Sequence, residues 1–159
     1  MTDIITENQF VTFRVKEELY GINVNNTKEI LEIPEITKVP GMSDLVRGVI
    51  NIRGSVVPVL DLKMKFGFEN TEFTQDAVII VTEIAREDEM ISIGLIVDAA
   101  RDVVTLEDGQ IEPPPKMGIF KDNNYLSGMG KVDDRFIIIL DIDRILSDEE
   151  LDVIKHTEE

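Results

Sequence analysis

The sequence predicts an all-β protein built from two small barrel-like halves with minor helices. About ten short apolar runs are separated by turn signals every 8–12 residues or so, a pattern typical of barrels and sandwiches. A polar, acidic stretch without periodicity, residues 69–76, divides these runs into two sets. We therefore expect a single domain over residues 8–156 of the 159-residue chain. Its first barrel would cover about 10–68, its second about 76–140, and a helical segment would occupy 141–156.

The first set opens with two predicted strands and a short helix. Residues 10–15 alternate between apolar and polar side chains, which indicates a strand with one solvated face. Residues 19–24 read as a second strand after a turn at Glu17 and Glu18. In residues 25–33 an asparagine cap with Glu29 in the first turns predicts one or two turns of helix.

The segment 46–62 is the predicted centre of the first half. Residues 46–52 and 55–60 are rich in β-branched side chains, which favour strands. Between them Gly54 can adopt a positive φ, so the chain can reverse there and leave Arg53 exposed at the tip. Pro58 cannot donate to a strand ladder, so we expect the second strand to be an edge or to carry a bulge. A short helical turn ended by glycine follows over 61–67.

The second set begins with a strongly apolar hairpin, residues 77–84 and 91–98, followed by a short extended piece at 102–106. Residues 107–124 read as a loop, because the three prolines at 113–115 exclude a central strand.

A last strand pair is predicted at 125–132 and 135–140. Ser147, with Glu150 three residues later, resembles a capping box and predicts a final helix to about residue 155.

Composition limits the possible partners. The net charge is −16, from 32 acidic and 16 basic residues, so the overall field repels nucleic acid and anionic membranes. Residues 38–65 nevertheless hold five basic and two acidic side chains, which indicates either a basic face for an acidic partner or chance clustering. The chain has no cysteine, which excludes disulfides and thiolate chemistry. No apolar run approaches the ~18 residues of a membrane span, and no signal peptide is evident, so we predict a cytoplasmic protein without membrane insertion.

The sequence offers no assembled catalytic or metal-binding pattern. The single histidine, His156, lies in the acidic tail without the companions that a triad or metal cluster needs. Asp141 and Asp143 lie where a strand becomes a helix, so capping explains them more simply than Mg²⁺ or Ca²⁺ binding. Gly128 and Gly130 precede no helix and indicate a bulge or close packing rather than a phosphate site. We predict a non-enzyme without catalytic residues, metal or cofactor; an enzyme that uses the carboxylates is the alternative.

Several segments together resemble the family of the bacterial chemotaxis coupling protein CheW. The segment VRGVINIRGSVVPVLDL at 46–62 is similar to the family signature. The segments FVTFRVKEELYGINV at 10–24 and KEIL at 28–31 resemble its opening strands and the piece that follows them. IGLIVD at 93–98 and YLSGMGKVDDRFIIILDIDRIL at 125–146 resemble its second-half strand and its terminal pattern.

The resemblance implies a fold of two five-stranded SH3-like barrels that flank a hydrophobic groove, with a C-terminal helix. It also implies a non-catalytic adaptor between transmembrane chemoreceptors and the histidine kinase CheA. The expected partners are the regulatory domain of CheA and the cytoplasmic tip of the receptors. The adaptor would be cytoplasmic and recruited to the inner face of the membrane through those receptors. A scaffold for a non-chemotaxis receptor–kinase pathway is the alternative.

The resemblance also implies partner-binding positions. Arg53 matches the family arginine of the N-x-R-G motif, which is associated with receptor and array contacts, and Asn51 and Gly54 match its framework. Glu29 falls on the family's acidic coupling position, with Thr27 and Ile30 beside it. Threonine at 27 departs from a commonly aliphatic residue, and isoleucine at 52 replaces the more usual leucine, a volume-conserving exchange.

Overall fold

The computed structural model describes residues 8–42, 44–86, 88–113 and 125–157, with side chains as far as residue 152. Strands dominate, which confirms the predicted all-β class. The described residues form eleven strands: β1 (Gln9–Val15), β2 (Glu18–Asn23), β3 (Thr27–Glu32), β4 (Val46–Ile52), β5 (Ser55–Asp61), β6 (Val78–Arg86), β7 (Glu89–Val97), β8 (Ala99–Thr105), β9 (Ile111–Glu112), β10 (Leu126–Val132) and β11 (Arg135–Leu140). The α-helices are α1 (Leu62–Lys65) and α2 (Asp148–Thr157), and short 3₁₀ turns cover Val24–Asn26, Asp108–Gln110 and Ile142–Arg144.

The strands form two curled sheets, one for each SH3-like barrel. The first sheet has the order β8-β1-β2-β11-β10-β9, and the second has the order β3-β6-β7-β5-β4. The expected division into sequential barrels over 10–68 and 76–140 is therefore wrong, since each sheet takes strands from both halves. Parallel pairing joins β2 to β11, with Tyr20 opposite Ile138, and β5 to β7, with Leu60 opposite Leu95. Turn signals predict a hairpin but not the strand that the hairpin then joins.

The helix predicted over residues 25–33 is also wrong. Only the 3₁₀ turn Val24–Asn26 is helical there, and its cap is Asn23, whose side chain accepts from the Asn25 backbone N–H at 2.9 Å. From Thr27 onward the chain is strand β3, which pairs with β6 along its length. Pairing to a distant apolar strand outweighed the local capping signal.

The central hairpin forms as predicted, except at Pro58. Strand β5 lies between β7 and β4, so it is not an edge. The bulge lies in the partner strand, between Val46 and Gly48. Pairing between β5 and β7 covers only Val59–Asp61 on the β5 side, so Pro58 lies just outside that ladder.

Three smaller predictions are confirmed. A bulge between Leu126 and Gly128 interrupts the pairing of β10 with β11. A Cβ on Gly130 would lie 2.6 Å from a methyl of Leu106, so close packing requires glycine there. The box before α2 is formed, because the Ser147 side chain accepts from the Glu150 N–H at 3.1 Å and the Glu150 side chain accepts from the Ser147 N–H at 2.8 Å.

A single large core lies between the two sheets. It contains Phe13 and Ile22 from the first sheet and Ile80, Ile93 and Leu95 from the second, all fully buried. Smaller apolar clusters fill the interior of each sheet. The two barrels therefore share one hydrophobic body.

Candidate partner-binding site

The tip of the β4–β5 hairpin presents Arg53 on a tight two-residue turn. Arg53 has φ 49° and Gly54 has φ 88°, the geometry of a hairpin turn that matches the twist of the strands. A non-glycine residue in this left-handed region costs roughly 1–2 kcal/mol. The Asn51 side chain stabilises the turn by accepting from the Gly54 backbone N–H at 3.0 Å. The tight turn and the Asn51 hydrogen bond therefore hold the backbone at Arg53 in one conformation.

The Arg53 guanidinium forms an ion pair with the Glu29 carboxylate. The Arg53 side chain is 74% exposed and that of Glu29 is 25% exposed, so the pair lies at the surface. Glu29 belongs to β3 and Arg53 follows β4, which are the first and last strands in the order of the second sheet. The ion pair therefore bridges the seam where this sheet curls back on itself.

A shallow pocket of about 510 Å³ lies beside this pair. Its lining combines apolar side chains with charged and polar ones. A second ion pair, Lys28 with Glu83 at 3.2 Å, lies nearby on the same sheet. The lining residues are Lys28, Glu29, Ile52, Arg53, Ser55, Val56, Val57, Val81 and Ser92.

The predicted site residues divide into two groups. Glu29, Arg53 and the framework residues Asn51 and Gly54 are brought together at the seam. Ile30 follows Glu29 in β3, where exposed and partly buried side chains alternate, so it lies on the opposite face of the strand. It is 43% exposed and is paired with Ile80, a member of the central core. Ile30 is therefore at the rim of the junction between the barrels.

The predicted contact role of Thr27 remains a prediction. The Thr27 hydroxyl lies 3.5 Å from the carbonyl oxygen of Asn23, across the short 3₁₀ turn. This local contact braces the start of β3.

Sequence reasoning missed two exposed apolar side chains on this sheet. Val56, which lines the pocket, is 49% exposed, and Met90 at the start of β7 is 61% exposed. The available signal was an apolar residue at an outward position of an otherwise regular strand. Such residues become candidates for partner contact only once the strand register is known.

The basic face predicted over residues 38–65 is largely neutralised. Arg53 pairs with Glu29, Lys63 with Asp98 at 3.4 Å, and Lys65 with Glu150 at 2.7 Å. These three carboxylates come from outside the segment and offset its local excess of positive charge. Arg47 pairs within the segment, with Asp61 at 2.9 Å. The exposed pair at the seam, rather than a basic surface, is therefore the main electrostatic feature of the site.

Asp141 caps the backbone of the helical turn, as predicted, whereas Asp143 bonds to a backbone group of β6. The Asp141 side chain accepts from the Asp143 N–H at 3.1 Å, and that of Asp143 accepts from the Ala85 N–H at 2.8 Å. Asp133 and Asp134 both have positive φ and form a turn. Among the described side chains no group of three or more histidines, cysteines or carboxylates could hold a metal ion. The side chain of His156 lies outside the described residues.

Two fused barrels with a charged, partly apolar surface site define a protein-binding scaffold. The structural family of that scaffold follows from comparison with known proteins. The CheW-like domain model matches residues 9–150, and the chain belongs to the CheW-like family. No helix among the described residues is long and apolar enough to cross a membrane.

Individual relatives agree with this assignment. The chain is 35% identical over 148 residues to the chemotaxis protein CheW of Bacillus subtilis, covering 92% of each chain. It is 32% identical over 146 residues to that of Klebsiella aerogenes, covering 92% of this chain and 86% of the relative. The crystal structure of the scaffolding protein TtCheW from Thermoanaerobacter tengcongensis superposes with a TM-score of 0.79 at 34% identity, covering 90% of this chain and 94% of that one.

Proposed function

We propose that this chain is a non-catalytic adaptor that couples transmembrane chemoreceptors to the histidine kinase CheA in chemotaxis arrays. The observation that carries the proposal is the CheW-like match over residues 9–150, nearly the whole chain. The names of the relatives favour chemotaxis over another receptor–kinase pathway. One partner is the regulatory domain of CheA, and the other is the cytoplasmic tip of a receptor, which recruits the adaptor to the inner face of the membrane.

The seam pair gives the adaptor an exchangeable contact. An exposed ion pair contributes only about 0–1 kcal/mol to stability, so a partner can open it at little cost. An acidic group of the partner would then replace Glu29 as the acceptor of the Arg53 guanidinium. Arginine suits this exchange because its planar fork forms two charge-assisted hydrogen bonds to one carboxylate. The fixed turn beneath Arg53 limits the entropy lost on binding.

Exposed apolar side chains near the seam pair supply the rest of the contact area with the partner. Val56 on β5 is exposed and lines the pocket beside the seam pair, and Ile30 is exposed on the opposite face of β3, at the junction between the barrels. Burying them on complex formation contributes roughly 25 cal/mol per Å² of apolar surface. The charged pair would then supply specificity and orientation, and the apolar residues would supply part of the affinity.

Calorimetric titration tests this proposal. The protein is titrated separately with an isolated CheA regulatory domain and with a receptor-tip helical hairpin. We expect saturable binding to both, and we expect Arg53→Glu to weaken at least one of them by tenfold or more, as is usual for loss of a charged interface contact. Arg101→Glu is the matched control, because Arg101 is an exposed strand arginine on the first sheet.

The exchanged double variant Glu29→Arg with Arg53→Glu separates two roles. It restores an internal pair of reversed polarity, so a purely structural role of the pair would be rescued. A contact from Arg53 to the partner would not be rescued. Binding of the wild type to neither partner, in a folded protein, would refute the proposed function.

A further inference from the structure

Arg86, at the tip of the β6–β7 hairpin, connects the second sheet to the segment that follows β11 of the first sheet. It is the last residue of β6 in the second sheet, and its side chain is 21% exposed. Its Nε donates to the Asp143 carbonyl oxygen at 3.1 Å, and its guanidinium also donates to the Leu146 carbonyl oxygen and pairs with Asp148. These acceptors lie after β11, the strand that ends the first sheet in sequence.

The adjacent backbone adds one more link. The Ala85 N–H donates to the Asp143 carboxylate at 2.8 Å. Ile84, the preceding residue, belongs to the central core, as do Ile145 and Leu146 on the other side of the contact. The polar contact therefore forms the solvent-facing rim of packed apolar residues.

Arginine is specifically suited to this position. Its guanidinium carries five N–H donors in a rigid plane, so one side chain reaches several acceptors that point in different directions. A lysine ammonium on a flexible stem cannot hold the same set at once. The Asp148 side chain is 93% exposed, so its ion pair with Arg86 contributes little. The two carbonyl oxygens are the acceptors that matter.

Asp98 makes a second polar contact between the two barrels, and this contact differs from that of Arg86 in its position along the chain. Asp98 accepts from the Lys16 backbone N–H at 2.6 Å and pairs with Lys63 at 3.4 Å. It is itself the residue that links β7 to β8, so chain continuity already holds the sheets together there. Arg86 is 57 residues distant in sequence from Asp143 and 60 from Leu146. At this rim the side chain, not the covalent chain, makes the polar connection.

We propose that Arg86 is a positioning residue that fixes the angle between the two barrels, and hence the orientation of the seam site relative to the surface of the other barrel. This inference rests on the proposed adaptor function. An adaptor passes a conformational signal only through differential contacts between its bound states. If the barrels pivoted freely at this rim, each partner could bind while the signal between them was lost.

Distance measurements between spin labels test the structural part. The chain contains no cysteine, so labels on Glu32→Cys in β3 and Val103→Cys in β8 report one distance between the sheets. We expect Arg86→Met to broaden or shift the distance distribution. Asp148→Asn is the matched control, since it removes only the exposed ion pair and should leave the distribution unchanged. If Arg86→Met does not fold, Arg86→Lys keeps the charge and is measured instead. An unchanged distribution in the folded Arg86 variant would overturn the proposal.

Coupling assays test the functional part. We expect the Arg86 variant to bind the isolated CheA domain and the receptor hairpin within about twofold of wild type, and to lower receptor-dependent kinase activation about fivefold or more, within the range of known coupling changes. A loss of activation no larger than the loss of binary affinity would refute the positioning role. A wild-type chain that bound neither partner would instead refute the adaptor function, and the distance measurement would still decide the role of Arg86.

Discussion

Gly48 in β4 lies directly against the backbone of Thr37, at the seam of the second sheet. The Thr37 N–H donates to the Val49 carbonyl oxygen at 2.9 Å, and the Val49 N–H donates to the Thr37 carbonyl oxygen at 2.8 Å. A Cβ on Gly48 would overlap the Thr37 carbonyl oxygen and lie 2.8 Å from a methyl of Ile36. Gly48 also has φ 148°, which disfavours other residues. Glycine at this position allows the segment after β3 to close against β4.

We therefore expect Gly48→Ala to lower the free energy of unfolding by about 2–4 kcal/mol, because it combines backbone strain with a clash against main-chain atoms. Urea unfolding measures the loss. Gly67→Ala is the control, since Gly67 has φ 89° but no atom of the described residues lies within 4 Å of the added methyl. It should lose only roughly 1–2 kcal/mol from the left-handed conformation. Equal losses in the two variants would show that the contact with Thr37 is unimportant.

The local parts of the site could be predicted from the sequence. Turn chemistry placed Arg53 at a hairpin tip, and the β-branched runs on either side defined its strands. The pairing of Arg53 with Glu29 could not be predicted in the same way. The two residues lie on the strands at opposite ends of the sheet order, and they meet only because that sheet curls closed.

Which strands form each barrel could not be predicted from the sequence, for a related reason. The joins between β2 and β11 and between β5 and β7 are parallel pairings, which link strands far apart in sequence. Alternation of polar and apolar residues identifies a strand and its buried face but carries no information about such a neighbour. The same limit explains why the sequence predicts a helix around Glu29, since the strand that contains Glu29 is defined by its pairing with β6, about fifty residues later.

Asp61 stabilises the connection between β5 and β6. It is fully buried and accepts from the Arg47 guanidinium at 2.9 Å, the Thr71 N–H at 2.8 Å, the Thr71 hydroxyl at 2.7 Å and the Lys63 N–H at 3.1 Å. We expect Asp61→Ala to cost about 3–5 kcal/mol, because it leaves buried donors and a partly buried guanidinium without their partner. Thr71→Val should cost about 1–3 kcal/mol, because the Asp61 carboxylate then loses one buried donor.

Chemical denaturation of the Asp61 and Thr71 variants gives these values. Glu69→Ala serves as the control, since Glu69 is an exposed carboxylate in the same connection, and its loss should stay within about 0.5 kcal/mol. A cost for Asp61→Ala no greater than that of the control would show that the buried carboxylate does not organise this connection.

The Glu150 carboxylate makes the free energy of unfolding depend on pH in the acidic range. Burial, the largest effect, raises the pKa of Glu150, but hydrogen bonds from Lys65 and Ser147 together lower it below the ordinary value of 4.5. A carboxylate with a lowered folded-state pKa contributes stability above its unfolded pKa and loses it as the pH falls through the folded value. We expect Glu150→Gln to be less stable than wild type at neutral pH, with the difference narrowing below pH 4.5. Thermal melts across that range measure the difference, and a gap independent of pH would contradict the assignment.

The two tyrosines of the chain, Tyr20 and Tyr125, make the stability of the fold decrease at alkaline pH. Tyr20, Phe66 and Tyr125 form a continuous ring stack, with centroids 4.8 Å and 6.0 Å apart. Burial, with smaller contributions from nearby negative charge, raises the pKa of Tyr20 to about 12 and also raises that of Tyr125 above 10. Because the folded-state pKa is raised, the contribution of the protonated Tyr20 to the free energy of unfolding is complete below pH 10. This contribution is lost as the pH rises towards 12. Tyrosinate absorbance should therefore appear above pH 10 in the folded protein and near pH 10 in denaturant. Tyr20→Phe should remove the later part of the folded titration, and titration of both tyrosines near pH 10 in a folded chain would refute their burial.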